Sequence, residues 1–248
     1  MTTFLCLDIE AVVDPTAWTP PADKPDTFAP PYAWRPICIG LVLLEDTAPG
    51  LEVRKVGALD DPDEATLLGK FAALLEKLRR PTLVTWNGRA YDLPVLMLRS
   101  LRYGIRQPAY YQPRDVRYRY SEDGHCDLAD AMGDYGATRA LGLEGMSRLI
   151  GLPGKIGDVA GATVGEAYAA GRLEEITTYC IGDAVSTAFL WLRWGLLKGA
   201  VDVDRSQASA GTLLAACEYV PRLRPLVAAV DRRVLLLERE QPAALVAV

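Results

Sequence analysis

The sequence predicts an α/β fold: a mixed five-stranded sheet flanked by helices, with a helical extension at the C-terminal end. Three observations lead there. Three apolar strand-like runs, Phe4 to Ile9, Pro36 to Leu44 and Leu51 to Gly57, come before any helical periodicity, and Thr47 to Gly50 carries turn chemistry between the last two. Beyond them, strand-like and helix-like segments alternate, which fits a mixed sheet with helices packed against it. A chain of 248 residues can bury one large core and a small extension.

Taken in order, the first strand is followed by Asp14 to Pro36, a proline-rich stretch without apolar periodicity. It reads as a long inserted loop, either a lid or substrate wall or a poorly ordered insertion. Asp61 to Arg80 reads as a helix, opened by Asp60 or Asp61 ahead of Pro62 and the acidic Asp63 and Glu64, and closed by Arg79, Arg80 and Pro81. Strand Thr82 to Trp86 and helix Leu93 to Tyr103, stopped at Gly104, come next. A fifth strand is expected near Tyr118 to Cys126, then helices at Gly142 to Ile150, Thr163 to Ala170 and Leu173 to Leu197. The division expected is a domain over 1–200 and an extension over 201–248. In the extension, Ala210 to Val220 and Arg224 to Glu240 read as amphipathic helices that either pack on the core or form a homodimer contact.

Composition narrows the function classes. Half of the residues are hydrophobic and 24% are charged, which is ordinary for a globule. No apolar run approaches a membrane span, and the first ten residues lack the features of a secretory signal. Five cysteines without CxxC spacing read as reduced thiols, so a cytoplasmic location without a membrane partner is expected. A net charge of −5 argues against indiscriminate coating of duplexes, yet it hides a basic segment. Arg99, Arg102, Arg106, Arg114, Arg117 and Arg119 are interleaved with Tyr103, Tyr110, Tyr111, Tyr118 and Tyr120. Such a segment is either a single-strand binding track or a solvated loop. As a track, Arg114, Arg117 and Arg119 would contact phosphates while Tyr118 or Tyr120 stacks with a base.

The chemistry is carried by acids in three strings, LDIE, TWNGRAYDLPVL and YCIGDAVSTA. Asp8 and Glu10, two apart on a strand, share one face. Asp92 begins a helix just after a strand, and Tyr179 lies four residues before Asp183 on one helix face. Any one of these acids alone would be a cap or a surface charge. Together they offer hard oxygen ligands at element ends, which is what a pair of divalent cations requires. Other signals are weaker. His125 and Asp127 would share a strand face but lack the ligands for zinc, and GLPGK around Lys155 lacks the spacing of a phosphate loop. Trp191 and Trp194 lie on an apolar helix and read as core.

The three strings resemble, in order and in residue type, the motifs of the DnaQ-like 3′-5′ exonucleases of the RNase H-like superfamily. The Tyr179-x-x-x-Asp183 spacing is similar to the DEDDy branch of predicted exonucleases related to the proofreading domain of family B DNA polymerases. The other large branch carries His five residues before the final Asp, where this chain has Thr178. The likeness covers roughly residues 1–200. It implies an RNase H-like sheet and a 3′-5′ exonuclease using two Mg²⁺ or Mn²⁺ ions to release nucleoside 5′-monophosphates from single-stranded DNA. Asp8, Glu10 and Asp183 would hold one ion, Asp8 and Asp92 the second, and Tyr179 would orient the attacking water. Asn87, with backbone groups around Gly88, would hold the terminal nucleotide. Ala11 stands where family members commonly carry Thr, which bears on the grip on the 3′ end. An exoribonuclease acting on short RNA and a binding module with weakened catalysis are the alternatives.

Overall fold

A computed structural model describes residues 2–47, 50–139, 141–154 and 157–238. Strands β1 (Thr2–Val13), β2 (Trp34–Thr47) and β3 (Gly50–Asp60) form an antiparallel meander, followed by α1 (Glu64–Lys77), β4 (Thr82–Thr85) and α2 (Asp92–Arg102). Next come α3 (Pro108–Tyr111), α4 (Arg114–Arg117), β5 (His125–Asp127), α5 (Leu128–Met132), α6 (Leu143–Leu149) and α7 (Val164–Ala169). The chain continues with α8 (Leu173–Leu197), α9 (Val203–Glu218), α10 (Arg224–Ala228) and α11 (Arg232–Leu235). The sheet order is β3-β2-β1-β4-β5, with β4 parallel to both β1 and β5. This is the mixed five-stranded α/β sheet that the sequence predicts.

Alternation along β1 divides the core. Leu5, Leu7 and Ile9 pack under Leu67, Phe71 and Leu75 of α1 and Leu93 and Leu96 of α2. Cys6 lies on the opposite face, with Ile181, Val185 and Phe189 of α8 and Leu213 and Leu214 of α9. Asp8 and Glu10 follow Cys6 by that same period of two, so both carboxylates face the helix that carries Tyr179 and Asp183. A register shift between Glu10 and Ala11 marks a bulge just where the acids end.

The approach of α8 to the sheet depends on one glycine. Gly40 pairs with Asp8 across β1 and β2, and a Cβ on it would stand 2.4 Å from the Cys180 carbonyl oxygen. Gly40→Ala is therefore expected to push α8 outward and cost about 1–3 kcal/mol in chemical denaturation. Gly57→Ala, whose added methyl meets only Lys55 Cε at 3.6 Å, serves as control. Equal stability of the two variants would show that α8 tolerates the shift.

Several elements differ from expectation, each for a tertiary reason. Helix α1 starts at Glu64 because Asp63, not Asp60 or Asp61, accepts the Thr66 amide at 2.8 Å, while Asp61 binds Lys70. The expected strand at 118–126 shrinks to His125–Asp127, since its partner β4 is only Thr82–Thr85 and offers pairing at 83–85 alone. Helix α9 begins at Val203, capped by Asp202, which accepts the Arg205 amide at 2.8 Å. The single helix expected at Arg224 to Glu240 is broken. There Asp231 caps α11, its own amide bonds Gly151 O at 2.8 Å, and Arg193 bonds the carbonyls of Val234 and Leu235. Residues 239–248 lie outside the described residues, as do Ala48 and Pro49 of the expected turn and Lys155. The extension as described packs on the core through Leu213, Leu214, Cys217 and Leu226. No helix among the described residues is long and apolar enough to cross a membrane.

Candidate active site

An open cleft of about 1040 Å³ runs over the end of β1 and is lined by Asp8, Glu10, Ala11, Asn87, Asp92, Tyr179 and Asp183. Ligand oxygens of Asp8, Glu10 and Asp183 all lie within 4.8 Å of one another. Burial first, then the neighbouring Asp92, Asp183 and Glu10 charges, push the Asp8 carboxyl well above the usual range. Three hard oxygen donors crowded against their mutual repulsion form a donor set that fits a divalent cation.

Asp92 stands at the first position of α2 and is buried. One of its oxygens accepts the Ile9 amide at 3.0 Å, which ties α2 to β1, and burial raises its carboxyl to about 7. Tyr179 donates a hydrogen bond from its phenol to Asp183. Burial and then the Asp183, Glu10 and Asp8 charges push the phenol above its ordinary value, so the hydroxyl stays protonated throughout the neutral range. Beneath the acids Cys180 Sγ lies 3.3 Å from Asp8 O and 3.6 Å from Asp8 Oδ2, and accepts the Gly40 amide at 3.0 Å. All five cysteines are buried and unbridged.

The loop after β4 is held by a residue outside the acidic motifs. Asp127 accepts the amides of Asn87 and Arg89, both at 2.8 Å, and this fixes Asn87 in a left-handed conformation (φ 61°) at the cleft wall. Gly88 has a packing role here, because a Cβ on it would stand 2.5 Å from Thr85 Cβ. His125 is buried with Nε2 at 2.8 Å from Thr85 Oγ1, and burial lowers its pKa to about 3, so it is a neutral structural residue.

The basic segment is not one continuous track. Arg99 is buried inside the protein, bonding Glu64 at 2.5 and 2.6 Å and Asp14 at 3.0 Å. Arg117 and Arg119 line the cleft, but Arg119 is already gripped by both oxygens of Asp130 at 2.7 Å. Arg114 and Tyr118 are not among the residues lining the cleft. Tyr118 meets Tyr120 edge-on at 6.0 Å, and Tyr120 meets Tyr135 edge-on at 4.9 Å, so these rings have partners within the protein. Sequence reasoning missed Arg89, which lines the cleft and bonds the carbonyls of Val116, Tyr118 and His125. Its signal was its place between Asn87 and Asp92. Phe28, Trp34 and Tyr91, also on the cleft wall, carried no motif.

Comparison with known proteins adds to this geometry. A family model described as a predicted 3′-5′ exonuclease related to the exonuclease domain of PolB matches residues 26–221, a span that holds Asp92, Tyr179 and Asp183. No curated protein matches the chain. A family B DNA polymerase from the hyperthermophilic archaeon Pyrobaculum calidifontis is similar in structure, with a TM-score of 0.53 and 16% identity. The match covers 89% of this chain but 29% of that one, and at such identity it shows the fold alone: RNase H-like, as in a PolB exonuclease domain. Over most of its length, then, the chain belongs to the family of predicted 3′-5′ exonucleases related to the exonuclease domain of PolB.

Proposed function

We propose that this protein is a 3′-5′ exonuclease that hydrolyses single-stranded DNA to nucleoside 5′-monophosphates with two Mg²⁺ or Mn²⁺ ions. The observation that carries the reading is the convergence of Asp8, Glu10 and Asp183 within 4.8 Å, beside Asp92 and under the Tyr179 phenol. Asp8, Glu10 and Asp183 would hold one ion, and Asp8 with the Asp92 oxygen not bonded to Ile9 would serve the second. Divalent cations held there would lower the pKa of water and neutralise charge on the departing 3′ oxygen.

The chain's own residues do the remaining work. Tyr179, held protonated, orients water through its hydroxyl and does not abstract a proton from it. Asp183 fixes the direction of that phenol. Asn87 presents its side chain at the cleft wall, where it would meet the terminal nucleotide, and Arg117 places positive charge along the phosphate path, Arg119 being paired with Asp130. Residues 1–200 carry the catalysis in this reading, and the following helices stabilise the same core.

The test is an assay of DNA and RNA oligonucleotides labelled at either end, with and without divalent metal. Metal-dependent release of mononucleotides starting from the 3′ end of DNA is expected. Release from the 5′ end, internal cuts, or a clear preference for RNA would replace the reading. In the same assay Tyr179→Phe is expected to lower kcat by about 10- to 1,000-fold with little change in KM. A raised KM at full kcat would make Tyr179 a binding residue instead.

A further inference from the structure

Cys180 is a buried nucleophilic group next to the acids for which the proposed chemistry has no use. It follows Tyr179 on α8, so about 100° of helical turn points it at the sheet while Tyr179 and Asp183 face the cleft. The side chain is fully buried, and its sulfur joins the helix to two strands. On β2 the Gly40 amide donates to Sγ at 3.0 Å. On β1 the thiol lies 3.3 Å from the Asp8 carbonyl oxygen and 3.6 Å from Asp8 Oδ2. Gly40 therefore acts twice: its missing Cβ admits the Cys180 carbonyl, and its amide holds the sulfur. A buried cysteine with apolar neighbours is a small hydrophobe with a weak donor. This one differs because its acceptor is a carboxylate, and hydrogen bonds to charged groups are about twice as strong as neutral ones. Among the described residues no other side chain hydrogen-bonds the Asp8 carboxylate. Asp92 is oriented by the Ile9 amide, and Cys180 stands in the corresponding place for Asp8.

Resting on the exonuclease reading above, we infer that Cys180 is a positioning residue: its thiol, anchored by the Gly40 amide, holds the Asp8 carboxylate in the orientation that divalent cations require. Groups behind metal ligands set the direction of those ligands, and losing one typically costs about 10- to 100-fold in metal affinity or activity. The sulfur lies beneath the acids and away from the cleft, so it acts on metal occupancy and leaves the grip on the strand alone. Tyr179 and Cys180 are neighbours on one helix, so a single element locates both the water-orienting phenol and the ligand that the two ions share.

Two measurements test this, one of which needs no hydrolysis. Binding of Mn²⁺ to the substrate-free protein is followed by the loss of the free ion's electron paramagnetic resonance signal. Cys180→Ala is expected to weaken binding about 10-fold, and Cys180→Ser, whose hydroxyl still donates, to stay within about 3-fold of wild type. Cys217→Ala, which removes another fully buried thiol, on α9, should bind as wild type does. In the cleavage assay, the Mg²⁺ concentration that gives half-maximal kcat should rise about 10-fold in Cys180→Ala, with the oligonucleotide KM at saturating metal unchanged. Wild-type binding by Cys180→Ala, no Mn²⁺ binding by wild type, equal losses in Cys180→Ala and Cys180→Ser, or the same loss in Cys217→Ala would overturn the assignment. The last two would reduce the thiol to packing. Mn²⁺ binding that depends on Cys180 without any cleavage would instead overturn the exonuclease reading and leave the positioning role standing. Cleavage with binding indifferent to Cys180 would do the reverse.

Discussion

Asp8→Asn is expected to lower turnover by at least about 1,000-fold while leaving the fold intact and making the metal-free protein more stable at neutral pH. Both halves have one cause. Asp8 is crowded by burial and by three carboxylates, and its pKa rises because the folded chain resists its charge. When a carboxyl has a folded pKa above its unfolded one, the folded state prefers the proton, and ionisation costs stability. For Asp92 that cost grows as pH rises from its ordinary value of 3.8 to about 7, and Asp8 shifts in the same direction. Metal-free protein should thus melt at a lower temperature at pH 8 than at about pH 5.5. Magnesium should raise the melting temperature at pH 8 by binding the folded state alone. In Asp8→Asn both the pH slope and the magnesium effect should shrink. Wild-type turnover in this variant, or an undiminished magnesium effect on its melting, would remove Asp8 from the ligand set.

Arg99→Met is expected to produce a large loss of stability, roughly 3–5 kcal/mol, because it strands the buried Glu64 without its cation and leaves Asp14 with only the more exposed Arg102 at 3.6 Å. In a domain of this size that corresponds to a fall in melting temperature of about 10 °C. Arg99→Lys should recover little, since a single ammonium cannot serve Glu64, Asp14 and the Tyr32 carbonyl with the planar fork they now share. The double change Glu64→Met with Arg99→Met should cost less than the single one, because an apolar pair does not strand a charge. Acid adds a further check. Hydrogen bonds from Thr16 and then Arg99 hold Asp14 at about 2, so its contribution is present above an ordinary value of 3.8 and is lost as pH falls toward about 2. In wild type the insertion should resist protease until that range, and in Arg99→Met it should be cut at neutral pH. A variant that melts with wild type and keeps an uncut insertion would show that the loop is held by its other contacts.

The first four strands and helices α1, α2, α6, α7 and α8 were legible because alternation, helical periodicity and breakers act over a few residues. The acids were legible in the same way. Asp8 with Glu10, and Tyr179 with Asp183, share a face through local periods of two and four, so each pair is fixed by its own element. Gathering the pairs is different, since it required Gly40 to let α8 reach β1.

Arg99 shows where local reading stops. Its sequence neighbours, Arg102 and Tyr103, suggested a nucleic-acid track, yet its ion-pair partners are Glu64 and Asp14, far away in the chain. Asp130 likewise claims Arg119, and the limits of β4 cut the expected fifth strand to His125–Asp127. Phe28 had no motif at all, and only its approach to Trp34 and Tyr91 sets it on the cleft wall. By itself the sequence determined the element types, the faces that carry the acids and the family resemblance, because these depend on periods and spacings within a segment. The tertiary structure alone decided which charges are spent on one another, which glycine admits the helix and which ring faces the cleft, because those depend on contacts between segments that no local pattern encodes.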